Sequence, residues 1–261
     1  MTFDFSYTVN IWNKKYQLKE PSFYDYKNLV KSLIDQDPTI TENVLCSFLN
    51  TFCPQNTENI SNIEKLLLLI KFRSLLIGDS IEFETDSIKL SYSLKDIDYV
   101  LNKPTDFYIY TDDKATYKFG LPTKILPNDN LLSLLCDCLY SINDTVITTP
   151  KDELPDLLPA LPIATIYTNL FEYYKDTKMF LPQINFTISP FDNSIVFFSR
   201  TILGYNLKSL YDLEYILRKN LNFTSNDFKT LSMPECDILF KIFKEELARL
   251  EKNVQKVDDQ R

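Results

Sequence analysis

The chain has 261 residues, 44% hydrophobic and 25% charged, a composition that supports a sizeable globular core. Acidic residues number 36 against 28 basic ones, and the net charge of -8 repels phosphate backbones, so nucleic-acid binding is not expected. There is no histidine and there are three glycines, which argues against a Ser-His-Asp triad, a Cys-His pair, a His-bearing zinc site and the glycine-clustered loops that hold nucleotide phosphates.

Residues 5–11 and 14–19 read as two strands around Trp12 and Asn13, with Tyr7, Val9 and Ile11 sharing a face. The chain then repeats one device, a Ser or Thr followed three residues later by an acid, the spacing at which each side chain satisfies the other's backbone N–H. Ser22 with Asp25, Thr39 with Glu42, Ser61 with Glu64, Thr224 with Asp227 and Ser232 with Glu235 predict helices starting near residues 23, 40, 62, 225 and 233. The third helix is apolar on nearly every side from Ile63 to Ile77 and stops at Gly78. A bilayer needs about 20 such residues, so a buried or interface helix is expected and membrane insertion is not.

Further along, Ile81 and Phe83 alternate into Ile88, Leu90 and Tyr92 as a hairpin around Asp86-Ser87. A second hairpin pairs 107–110 with 116–120 around Asp112-Asp113-Lys114, and Leu131–Tyr140 reads as a short apolar helix. Pro150, Pro155, Pro159 and Pro162 form a connector before a helix over Ile163–Lys178. From Ser194 onward the pattern is helical over 194–203, 206–221, 225–231 and 233–255. The expected fold is α+β and helix-rich, in three regions: an N-terminal hairpin with helices (1–103), a mixed middle with hairpins (104–189) and an all-helical C-terminal region (190–261).

Candidate chemistry is sparse. Cys46, Cys53, Cys136, Cys138 and Cys236 contain no C-x-x-C pair, and the start MTFDFSYTVNIW lacks a basic segment followed by an apolar one, so a reduced, intracellular chain is expected. The acid pairs Asp112-Asp113 and Glu245-Glu246 are adjacent in sequence and do not face a common substrate. No catalytic, cofactor-binding or metal-binding residue and no small-molecule substrate are expected. The last helix carries Leu239, Phe243, Leu247, Leu250 and Val254 as one stripe. It suits docking on the chain's own 206–221 helix, through Leu207, Leu210, Leu217 and Leu221. Its far end, Leu247, Leu250 and Val254, suits a partner.

Three segments carry a resemblance: YTVNIWNKKYQLKEPSFYDYKNLVKSLI (7–34), NIEKLLLLIKFRSLLIGDSIEF (62–83) and LKSLYDLEYILRKNLNFTSNDFKTLSMPECDILFKIFKEELARLEK (207–252). In this order the chain resembles the baseplate hub assembly family of T-even-type contractile-tailed bacteriophages, with the middle contributing little. The resemblance implies a non-enzymatic hub subunit or hub assembly chaperone without cofactors, partnered by other hub proteins. It implies the host cell cytoplasm during assembly and leaves retention in the virion tail open. Leu66, Leu67, Phe72, Arg73, Gly78 and Asp79 would be its signature, with structural roles. An unrelated interaction adaptor using the C-terminal helix is the alternative, and an enzyme relying on carboxylates alone is a more distant one.

Overall fold

The computed structural model describes residues 6–34, 37–55, 57, 59–85, 88–94, 107–127, 130–147, 161–181, 186–204 and 207–258. Pro150, Pro155 and Pro159 of the expected connector, and the Asp86-Ser87 turn, lie outside them. Ser6–Ile11 (β1) and Lys14–Lys19 (β2) pair antiparallel, with Val9 opposite Tyr16 and Tyr7 opposite Leu18. Trp12 takes a φ of 52°, the left-handed geometry a two-residue turn demands. Ile11, Tyr16 and Leu18 are buried, whereas Tyr7 stands past the edge of the core and its hydroxyl donates to Glu20.

The first helix, Phe23–Ser32 (α1), starts with the expected capping box of Ser22 and Asp25. Pro38–Phe52 (α2) starts differently. Asp37 accepts from the Thr39 and Ile40 N–H groups and Pro38 occupies the first turn, so Thr39 lies inside the helix instead of capping it. Glu42 is thereby released from a capping role and accepts from the Leu126 N–H at 3.2 Å.

Asn62–Ile77 (α3) is the centre of the molecule. Ser61 and Glu64 close a capping box at its start, and Gly78, at φ 96°, ends it in a conformation that side-chain-bearing residues rarely adopt. Ile63, Leu66, Leu67, Leu68, Leu69, Ile70, Phe72 and Leu76 are all buried, and Lys71, Ser74, Leu75 and Ile77 alone in the helix are partly exposed. Each such side chain is worth about 1.5–3 kcal/mol as an upper estimate. The polar residues among them are engaged: Lys65 Nζ donates to the Thr123 carbonyl at 2.6 Å, Arg73 Nη2 to the Ser80 carbonyl at 2.8 Å and Asn62 Nδ2 to the Pro190 carbonyl at 2.7 Å. Glu64 accepts from Lys14 Nζ at 2.7 Å and from the Tyr16 hydroxyl at 3.0 Å, which ties the β1–β2 hairpin to the start of α3. Burial and the adjacent Glu64 carboxylate push the Tyr16 phenol well above its ordinary range.

Ser80–Thr85 (β3) and Ile88–Ser93 (β4) form the next hairpin. Tyr108–Thr111 (β5) and Thr116–Phe119 (β6) follow as expected, and they belong to a four-stranded antiparallel sheet, β5-β6-β7-β8. The helix expected over Leu131–Tyr140 ends earlier: Leu131–Cys138 (α4) is helical, and Leu139–Ile142 (β7) and Thr145–Val146 (β8) are strands. The cause is Asn143-Asp144, both at positive φ (47° and 62°), which turns β7 into β8. Asn143 Oδ1 also accepts from the Thr116 N–H and so pins that turn to β6.

Ile163–Tyr173 (α5) is likewise shorter than expected. Thr177 N–H closes a turn on the Tyr174 carbonyl, after which Met179–Leu181 (β9) and Phe186–Ile188 (β10) pair antiparallel. Among the described residues the elements of the C-terminal region are all helices: Ser194–Leu203 (α6), Leu207–Leu221 (α7), Asp227–Thr230 (α8) and Met233–Asp258 (α9). α6 packs along α3 and α2, while α8 and the start of α9 pack on α1, joined by the Phe23 N–H to Leu231 carbonyl bond at 2.7 Å. The fold is α+β, with helices in the majority and small sheets of short strands.

Candidate partner-binding site

Ser232 and Glu235 open α9 with reciprocal hydrogen bonds to each other's N–H groups. The helix has 26 residues, roughly 39 Å of length. Its first turns lie against α1 and α3 rather than along α7, which corrects the expectation that its stripe docks on the 206–221 helix. Met233 and Cys236 are buried there, Leu239 and Phe240 are half-buried against the core, and Phe243 is half-buried. Burial pushes the Cys236 thiol up to about 12, so it behaves as a small apolar group at neutral pH.

Beyond Phe243 the helix leaves the core. Leu247 is 41% and Leu250 61% exposed, and every residue from Lys244 to Leu250 is exposed. Val254 lies on the same helix in its last turns, and its side chain falls outside those described. A second exposed pair, Ile238 and Ile242, sits on another face of α9. Sequence reasoning missed it, although the spacing of four residues is legible.

The residues read as a structural signature are placed as follows. Leu66, Leu67 and Phe72 are fully buried, Arg73 is 8% exposed, Gly78 ends α3, and the Asp79 carbonyl accepts from the Leu94 N–H at 2.7 Å. Arg73, Gly78 and Asp79 sit at the junction between α3 and the β3–β4 hairpin, whereas Leu66, Leu67 and Phe72 are buried along α3 itself. Phe72 meets Phe48 edge-on at 5.0 Å, which seats α2 on α3.

Of the two acid pairs, Asp112 is held in a turn and Glu245 and Glu246 are exposed on α9. Asp112 Oδ1 accepts from the Lys114 and Ala115 N–H groups, both at 2.8 Å, and these bonds hold its carboxyl below the usual range. Cys136 and Cys138 are both buried on α4. A cleft of about 660 Å³ lies between α2, the 124–127 loop, α4 and the Phe191–Asn193 turn. Its two acids already accept from backbone, Glu42 from Leu126 and Asp192 from the Ser194 N–H at 2.8 Å. Among the described residues no group of three His, Cys, Asp or Glu is placed to hold a metal ion, and no helix is long and apolar enough to cross a membrane.

Residues 2–189 match the family model described as T4 bacteriophage base plate protein. The chain belongs to this family. No curated protein and no solved structure matches it. The matched span includes the middle region, which contributed little to the resemblance, and it ends before α6. The resemblance drawn from 207–252 therefore lies outside the match, α9 with it. Membership makes the chain a bacteriophage tail baseplate protein, a structural component whose contacts are with other baseplate proteins.

Proposed function

We propose that this baseplate protein serves the hub of the tail baseplate, as a subunit or as an assembly chaperone, by protein contacts alone and without catalysis. Family membership supports the setting, and one observation supports the mode of action: α9 runs out of its own core with Leu247 and Leu250 exposed on one stripe. A structural subunit or chaperone needs such a surface, since apolar area removed from water drives most association. The proposed contact residues are Leu247, Leu250 and Val254, and the proposed partners are other hub proteins met in the host cell cytoplasm during assembly. Leu66, Leu67, Phe72, Arg73, Gly78 and Asp79 have a structural role in this reading, holding α3 and its hairpin as a rigid base.

The test is an affinity pull-down of the tagged protein from infected cells, with purified mature particles analysed alongside by mass spectrometry. Recovery of hub proteins is expected. Presence in particles would identify a subunit and absence a chaperone; recovery without any tail protein would overturn the hub reading. Leu247→Asp combined with Leu250→Asp is expected to abolish recovery while leaving the thermal unfolding curve of the monomer within a few degrees of the parent. A variant that unfolds instead would show these leucines to be core.

A further inference from the structure

Most apolar positions of α9 follow a finer rule than a stripe, with Ile238, Leu239 and Ile242 lying outside it. Met233, Cys236, Phe240, Phe243, Leu247, Leu250, Val254 and Val257 alternate spacings of three and four, the a and d positions of a heptad. The first three are covered by the chain itself, Phe243 is half-buried, and the seam then continues without cover at Leu247 and Leu250. Charges around the uncovered part are partly sorted by position, with Glu245 an acid among the outer f residues. Glu246, Glu251 and Asp258 hold the e and g positions that flank the seam, and Arg249, Lys252 and Lys256 hold the outer c and f positions. Lys244, the preceding e residue, is turned back over the Phe240 ring at 4.3 Å.

We infer that the uncovered end of α9 is one strand of a short coiled coil whose other strand is a helix of a different protein, with Lys or Arg flanking its own apolar seam. The inference rests on the hub reading for its setting and deepens it by stating the partner's chemistry. Knobs-into-holes packing requires a helical partner at this spacing, and in either helix direction the e and g residues meet the partner's e and g residues. A second copy of this chain in parallel would set Glu246 against Glu251. Like charges at those positions disfavour the pairing, whereas basic ones favour it.

The probes are three synthetic helices of three heptads, bound to the full chain and read by fluorescence anisotropy: Leu at a and d with Lys at e and g, the same with Glu at e and g, and a Lys-flanked control with Ser at a and d. The Lys-flanked Leu peptide is expected to bind about tenfold more tightly than the Glu-flanked one at about 0.05 M salt, with the gap closing at about 0.5 M. The Ser control is expected not to bind, which separates the seam from general attraction to a chain of net charge -8. Glu246→Lys with Glu251→Lys is expected to invert the preference.

Equal binding of the two Leu peptides, binding of neither, or a preference that the charge reversal leaves unchanged would overturn the inference. So would a dimer of this chain, seen by sedimentation velocity and lost in the Leu247→Asp, Leu250→Asp variant, since it would assign the seam to a second copy. Hub proteins in the pull-down without a peptide preference would remove this inference and leave the function. A peptide preference without tail proteins in the pull-down would do the reverse.

Discussion

Asp137, 2% exposed on α4, accepts from the Thr123 N–H at 2.7 Å, the Thr123 hydroxyl at 2.5 Å and the Lys124 N–H at 3.0 Å. Those contacts hold the loop whose Thr123 carbonyl receives Lys65 of α3. Asp137→Ala strands two N–H donors in a half-buried loop, and a loss of about 2–3 kcal/mol is expected in urea unfolding. Glu214 of α7 gives a pH dependence. Burial raises its pKa, but hydrogen bonds and charge from Lys27 and Arg218 outweigh burial and hold it below its ordinary value. The folded state then binds fewer protons than the unfolded one between the two pKa values, so the stabilisation is present above the unfolded pKa and is lost as pH falls through the folded one. Glu214→Gln should cost about 1 kcal/mol at pH 7, a value kept small by partial solvent screening, with the difference from the parent shrinking on acidification in a series of urea melts. Asp137 to Thr123 and Glu214 to Lys27 are contacts of the folded chain and leave no local spacing to read, whereas Glu214 to Arg218 is an i,i+4 pair on one helix and is legible.

Elements with a local signature were legible. The capping boxes at Ser22, Ser61 and Ser232 mark the starts of α1, α3 and α9, and Gly78 marks the end of α3. The exceptions are places where two local signals compete. At α2 an Asp-Pro pair overrides the Thr39–Glu42 spacing two residues later. After α4, the apolar run continues through Tyr140 while the turn chemistry of Asn143-Asp144 pulls its end into a strand, and hydrophobicity alone does not separate the two. β9 and β10, three residues each, are too short to show a period. The α2 case can be tested directly: Asp37→Ala and Ser61→Ala should each cost about 1 kcal/mol in thermal unfolding, and Thr39→Ala less than about 0.5. A cost at Thr39 equal to that at Asp37 would restore the capping box.

At the scale of the molecule, the family-matched span and the helices after it share one apolar core. Ile195, Phe198 and Ile202 of α6 are buried with Ile63, Leu66 and Ile70 of α3. A fragment of residues 1–189 is therefore expected to lack a cooperative thermal transition and to bind a dye for exposed apolar surface, although it contains the whole matched span. A soluble fragment with a sharp transition would contradict this. The α+β class and the order of elements were readable because each rests on local patterns. The seating of α9 on α1 and α3 was not, since the leucines of α7 offer an equally periodic surface and periodicity does not say which surface is nearer.

The encirclement of α3 also sets a schedule for synthesis. Its cover comes from both sides in sequence, the β1–β2 hairpin and α2 before it and α6 and α9 well after it. A ribosome adding about 5–20 residues per second needs on the order of ten seconds to travel from Ile77 to Leu203. Throughout that interval the nascent chain carries a largely apolar helix with part of its surface bare. Slower translation lengthens this exposure, so codon choice between α3 and α6 should govern the yield of soluble protein more strongly than codon choice after α6.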